Sequence, residues 1–457
     1  MRVAIIGGGL GGLTTAYFLQ RRGRVACETT IFEASPRPGG KIMTRQFANA
    51  PILHEAGAAE LYDYSQLGPD RLRELVHELG LTTRPMFGSA VIITDQLLKS
   101  ADDARFACGE ATDQALRDFT SKARCLITPA NYYESDWQED NDDPLAHQSF
   151  DEFLANVPDL AAQKYIRVLV HSDLATEPHQ TNALFGLHNF LLNDQEYMRL
   201  YTIEGGIEKL PRAIAQRLSA RILLNQAVVR VERTNEETYR VTSRSLGEIQ
   251  TEDFDFVVAA LPNNWIPAID WAGDRLAKAM HQHHKHYDYP AHYLRVSILF
   301  RAAFWRDHVA GSYFMLDAFG GCCVYDESPR NGDGQYGVLG WLLAGEAALT
   351  LTNLADAALI DQVLDFLPAS LRHGRELFLE GRVYRWVGSV TGLPGGVPMH
   401  HPEVRHVPEP IDHPWLFVAG DYLFDSTLSG VVNSAQFVAA WILEEIEDDE
   451  RSDRRRA

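Results

Sequence analysis

The chain has 457 residues, 46% of them hydrophobic, with 42 basic and 62 acidic side chains and a net charge of −20. That length supplies core for two domains, and the acidic balance argues against a nucleic-acid or anionic-membrane partner. Five cysteines (Cys27, Cys108, Cys125, Cys322, Cys323) form neither an even disulfide framework nor a metal-type spacing, which suits a reducing cytoplasm and no metal site.

In chain order, residues 3–6, 7–12, 13–21 and 29–33 read as strand, glycine-rich turn, helix and strand, with no signal-type segment before them. Residues 68–80 place Leu72, Leu75, Val76 and Leu79 at helical spacing. The stretch 100–200 reads as mainly helical, interrupted by an acidic run at 134–143 that suits a solvated loop. A helix over 207–218 leads into a strand at 222–231, and residues 255–261 form a buried-type strand that stops at Pro262. Residues 293–300 alternate like a strand, 354–367 read as a helix, and 416–421 as a strand and turn. A helix follows from about 430 to 445, and the charged tail 447–457 is expected to fray. No run of about eighteen apolar residues exists, so no membrane span is expected.

The densest chemistry lies at the start. Gly7, Gly9 and Gly12 satisfy G-x-G-x-x-G between a strand and a helix. The first glycine permits a tight turn, the second lets backbone approach a pyrophosphate, and the third lets the helix pack on the strand. The helix start offers N–H groups and the positive end of its dipole to phosphates. Glu33, at the end of the second strand, stands where an acid would accept hydrogen bonds from ribose hydroxyls. Arg37, Gly39, Gly40 and Lys41 follow directly, giving a second glycine turn flanked by two cations that can neutralise a diphosphate.

The run Glu33, Arg37, Gly39, Gly40, Lys41 resembles the signature of the amine oxidase, protoporphyrinogen oxidase and phytoene desaturase superfamily of flavoproteins. Further matches follow in order: the loop with Gly57 and Ala58, Gly205-Gly206 before a helix, Val228, the strand ending at Pro262, then Gly420-Asp421 and Gly430-Val431. The resemblance implies FAD bound through Gly57, Ala58, Val228, Gly420, Asp421, Leu428, Gly430 and Val431 in addition to the two turns. It also implies that the helix starting near Leu428 points its N-terminus at the flavin.

The same comparison exposes departures. Many amine oxidases carry a lysine upstream of a Phe-Trp pair; here Phe304-Trp305 is preceded at that position by Arg295. Arg295 reads either as a cation facing flavin or substrate, and hence a candidate catalytic residue, or as an ion-paired strand residue. The positions of the paired aromatic rings of monoamine oxidases fall at Thr427 and near Gly395–Gly396, and the cysteine that links flavin in some members is absent. A non-covalent FAD and an incomplete ring cage are therefore expected. The histidines between 281 and 292 look like a helix end and loop, with no ligand set to complete a metal site.

The resemblance implies an α/β fold: a Rossmann-type FAD-binding domain with a parallel sheet, interleaved with an α+β substrate-binding domain. Residues 1–95, 205–262 and 380–446 are assigned to the first and 96–204 and 263–379 to the second. The implied activity is hydride removal from a small organic substrate at a C–N bond, with dioxygen as acceptor. C–C desaturation of a larger apolar substrate, and a flavin-binding protein without turnover, are the alternatives.

Overall fold

The computed structural model describes residues 1–22, 27–88, 90–99, 101–134, 143–332 and 334–456. Most of the acidic run, residues 135–142, lies outside the described residues. Arg2–Ile6 is the middle of a five-stranded parallel sheet in the order Arg221–Leu223, Glu28–Phe32, Arg2–Ile6, Phe256–Ala259, Leu416–Val418. Val3, Ala4, Ile5 and Ile6 are all buried, as an unbroken apolar run must be when helices or loops cover both faces of a parallel sheet. Ile6 stands opposite Phe32 on one side and Ala259 on the other; Arg2–Ile6 is followed by Glu28–Phe32 on one side and Phe256–Ala259 pairs with Leu416–Val418 on the other, so the connections diverge between the two strands. Such a switch point at the carboxyl ends of parallel strands is where α/β sheets open a crevice. The helix Leu10–Arg22 starts there and packs along the long helix Leu428–Arg456.

A seven-stranded mixed sheet forms a second layer system, in the order Phe378–Thr391, Pro290–Phe300, Gly337–Ala344, Cys322–Asp326, Tyr313–Leu316, Val91–Ile93, Gln96–Leu98. Val91–Ile93 and Phe378–Thr391 join it, although the sequence division assigned 1–95 and 380–446 to the cofactor part. Alternation in a short strand reveals that it is a strand, but the sheet that Val91–Ile93 joins is fixed by Met315 and Leu316, more than two hundred residues on. Helices between 101 and 191, including Glu110–Leu126, Leu160–Leu174 and Ala183–Leu191, share a separate core. The terminal helix does not stop near residue 445 but continues to Arg456, since no glycine or proline follows Ile446 to end it.

Candidate active site

The switch point delivers the first glycine turn. Gly7 has φ of +109°, and a Cβ on it would stand 2.4 Å from Ala260 O; a Cβ on Gly12 would stand 2.0 Å from Gly7 O. Backbone packing forces glycine at both. Gly9 differs, because a Cβ there would meet nothing nearer than Gly40 Cα at 3.9 Å. The chain itself does not need a glycine at this position. A phosphate lying against the helix start does, because a side chain would hold it away from the backbone N–H groups.

Other elements of the sequence motif converge on this turn. Glu33 accepts from Gly8 N at 2.7 Å and from Ser35 N at 2.8 Å, pinning the end of its strand beside the turn. Gly39 N donates to Gly8 O at 2.8 Å, so the second glycine turn docks on the first. A Cβ on Gly57 would stand 1.9 Å from Lys41 O, and Ala58 N donates to the same oxygen at 3.3 Å. From the far end of the chain, Val431 Cγ2 would lie 3.0 Å from a Cβ on Gly11. Val228 is half-buried at the start of Ala227–Arg233.

The two cations of the motif have protein partners. Arg37 donates to Ile42 O at 3.0 Å and Gly40 O at 2.6 Å, holding the second turn in shape, and burial depresses its pKa. Lys41 donates to Asp421 Oδ2 at 2.6 Å and Ser389 O at 2.8 Å, tying the second turn to the Gly420-Asp421 segment. Both cations organise the loops, which leaves the helix start and open Gly9 as the groups suited to a diphosphate.

The long helix begins at Leu428 beside a half-buried polar relay. Asp425 Oδ1 accepts from Thr427 N at 3.0 Å and Thr427 Oγ1 at 2.7 Å, and Gly430 N donates to Thr427 Oγ1 at 3.1 Å. A Cβ on Gly430 would stand 2.0 Å from Asp425 Oδ1, so this glycine makes room for a carboxylate. Ser429, only 5% exposed, has no hydrogen-bond partner for Oγ among the described residues. An orphaned hydroxyl at a helix start is the kind of group a bound molecule satisfies.

Ser429 opens onto a cavity of about 660 Å³. Its walls carry the rings of Tyr62, Tyr64, Tyr132 and Tyr293 and the carboxylates of Asp70, Asp173 and Asp425. Tyr132 stacks on His188 with centroids 4.7 Å apart, and burial lowers the His188 pKa to about 4, so the imidazole is neutral at pH 7. Burial raises all four phenols, which remain protonated. Asp70 caps the helix Arg71–Glu78 through Arg73 N, and Asp425 also accepts from Tyr64 Oη at 3.1 Å. Asp173 is pushed up to about 8, by burial first and by Glu60 second, while a hydrogen bond from Asn193 opposes the rise. Arg71 is the one arginine or lysine among the described residues lining the cavity.

A family model described as "Flavin containing amine oxidoreductase" matches residues 10–443. The chain belongs to that family. It is therefore a flavin-family oxidoreductase of mixed α/β fold. A Mycobacterium tuberculosis protein named as a flavin-containing monoamine oxidase, AofH, is 26% identical over 280 residues, covering 57% of this chain and 56% of that protein. The chain thus matches just over half the length of this curated relative. Putrescine oxidase in complex with putrescine superposes with a TM-score of 0.77 at 20% identity, covering 97% of this chain and 99% of that one. Cyclohexylamine oxidase from Brevibacterium oxydans gives 0.72 at 17% identity, with coverage of 98% and 99%. At such identities the structural likeness speaks for the fold.

Within this flavin amine oxidoreductase, Arg295 lies away from the cavity lining. It is 1% exposed, ion-paired with the fully buried Glu327, and donates from Nε to Glu55 O at 2.7 Å, with Tyr325 stacked 4.9 Å below. Of its two readings, the geometry is that of the ion-paired strand residue. Glu55 is held in turn by Arg330 at 3.0 Å and Ile207 N at 2.9 Å, so four buried ionisable side chains tie the strand Leu53–Glu55 to the seven-stranded sheet. Sequence alone could not place Glu327, because its partner lies on another strand.

The histidine segment divides among separate duties. His283 bonds Tyr422 Oη at 3.0 Å, His286 stacks on His400 at 4.6 Å, and His292 Nδ1 accepts from Gly388 N at 3.0 Å. Among the described residues no group of three or more His, Cys, Asp or Glu could hold a metal. The cavity residues Tyr62, Tyr64, Tyr132, Asp173, His188 and Asp425 went unrecognised in the sequence. The one available signal was Asp173 itself, an acid in the last turn of Leu160–Leu174 beside the buried His171 and Ser172.

Proposed function

We propose that this chain is an FAD-dependent oxidase of small cationic amines, removing a hydride at a C–N bond and passing electrons to dioxygen. The observation that carries this reading is the cavity, whose aromatic walls hold carboxylates and a single arginine. A carboxylate in a poorly solvated site is costly until a cation joins it, and aromatic faces attract the same charge. A large apolar desaturase substrate would bring no cation to those acids.

When bound, flavin supplies the hydride acceptor. The open backbone at Gly9 and the start of Leu10–Arg22 take the diphosphate, and Glu33 takes the ribose hydroxyls. Gly57 and Ala58, Val228, Gly420 with Asp421, and Leu428 to Val431 complete the cofactor's surroundings. The start of Leu428–Arg456 turns its positive dipole end and the Ser429 hydroxyl toward the cavity. The tyrosine rings exclude water and hold the substrate's carbon chain. Hydride loss from the unprotonated amine leaves an iminium, which water hydrolyses to a carbonyl compound and ammonium. The FAD is held without a covalent link, in keeping with the absence of cysteine from the described cavity lining.

The test uses purified holoenzyme. Acid precipitation is expected to release the flavin to the supernatant. Anaerobic addition of primary amines is expected to bleach the flavin, and readmitted oxygen to yield hydrogen peroxide and ammonia. Bleaching by none of a broad amine panel refutes the C–N reading.

A further inference from the structure

A second cavity, of about 320 Å³, shares no lining residue with the first. Its walls come from the paired strands Thr83–Met86 and Arg199–Ile203, the turn that leads into the helix Lys209–Arg217, Ser312, and the single-turn segment Ser328–Asn331. Two carboxylates line it, and both are engaged. Asp326 accepts from Arg306 Nε at 2.7 Å and from Ser328 N at 3.0 Å, and Glu204 pairs with Arg84 at 3.5 Å. Two cationic donors are not fully engaged. The Arg330 side chain is 4% exposed, and its terminal nitrogens donate to Glu55 Oε1 at 3.0 Å and Ala59 O at 2.6 Å, but its Nε–H has no acceptor among the described residues. A buried N–H without an acceptor is rare in native proteins, and a bound acceptor satisfies it. Lys209, on a different element, has no ion-pair or hydrogen-bond partner among the described residues. Its ammonium folds back over Gly205, where φ is +74° and a Cβ would stand 2.5 Å from Lys209 Nζ.

We propose that this cavity binds a small oxyanion, a carboxylate or a phosphate, between Lys209 and the Nε–H of Arg330. Glu55 already balances the charge of Arg330, and Glu204 that of Arg84, so Lys209 supplies the uncompensated positive charge of the lining in a chain whose net charge is −20. An ionised acceptor makes the stronger hydrogen bond to each donor. The half-buried Ser312 adds a hydroxyl to the same wall. A seated anion also fixes the guanidinium that holds Glu55 and Ala59 O, on either side of the Gly57-Ala58 segment. The site is separate from the aromatic cavity and does not depend on what the chain oxidises.

The test is calorimetric titration of inorganic phosphate and of acetate into the FAD-loaded protein, in which the cofactor's own diphosphate fills the helix start at Gly9. Ionic strength is held constant with sodium chloride, and each variant is first checked for flavin content and unfolding midpoint. Saturable binding of at least one of the two anions is expected, with Kd on the order of 1 mM or tighter. Phosphate binding alone assigns a tetrahedral ligand, and acetate binding alone a carboxylate. Lys209→Gln should weaken binding about ten-fold or more, the worth of one hydrogen bond to a charged group, and Lys209→Arg should keep most of it. Ser312→Asp sets a negative charge in the wall and should abolish binding. Absence of saturable binding for both anions, or binding that either Lys209→Gln or Ser312→Asp leaves unchanged, overturns the proposal. None of these outcomes bears on amine oxidation, which the amine panel tests by itself.

Discussion

Replacing Arg295 by methionine is expected to cost stability first and activity only in consequence. The substitution removes the guanidinium from between Glu327, 0% exposed, and the carbonyl of Glu55, while the methionine fills much of the vacated space. Glu327 would keep its hydrogen bond from Glu55 N at 2.7 Å but lose its nearest cation. Burial alone would raise the Glu327 carboxyl; Arg295 and then Arg330 outweigh it and hold the group below the ordinary value. Breaking a buried pair by removing one partner costs about 3–5 kcal/mol, whereas replacing both with apolar groups is often neutral. Arg295→Met should therefore lose about 3–5 kcal/mol and Arg295→Met/Glu327→Leu should recover most of it. The loss should be smaller at pH 5 than at pH 8, because the stranded carboxyl can take up a proton. The assay is urea unfolding followed by circular dichroism at one fixed flavin concentration, since cofactor binding shifts the midpoint by mass action. A midpoint equal to that of the wild type, together with slowed flavin reduction, would refute this account and return Arg295 to the chemistry.

The glycines of the first turn should separate by mechanism. Gly12→Ala, whose Cβ would meet Gly7 O at 2.0 Å, should destabilise the fold, whereas Gly9→Ala should fold normally and weaken FAD binding, as read by thermal unfolding and flavin titration. Equal effects of the two would contradict a ligand-facing Gly9. Glu33→Ala should weaken FAD binding by about 2–3 kcal/mol, so that dialysis strips the variant and spares the wild type. Asp173 gives a pH signature. The folded chain keeps its proton up to about pH 8 while the unfolded chain releases it near the ordinary aspartate value of 3.8, so stability falls as pH rises between those values. Asp173→Asn should remove that slope, at most about 1.4 kcal/mol per pH unit; urea midpoints at pH 5 and pH 8 that move in parallel in both proteins would disprove it.

Local chemistry made the cofactor half of the site legible. A strand, a glycine turn and a helix are contiguous, so the requirement for Gly7, Gly9 and Gly12 is written within six positions, and Glu33 to Lys41 follows within one further strand and turn. The continuous apolar runs of the parallel strands could be read for the same reason, since burial on both faces leaves its mark residue by residue. The other half could not be read in this way. Asp173 lies in the last turn of one helix, Tyr62 and Tyr64 follow the Gly57-Ala58 segment, Tyr132 lies in a short helix, and Asp425 precedes the last; they meet only because separate cores pack around one cavity. Arg295 shows the limit most clearly. Its place beside Phe304-Trp305 resembled a catalytic position, yet its role was decided by Glu327, thirty-two residues on and two strands away in the sheet. Charge pairing depends on distance in space, and that distance is set by tertiary packing.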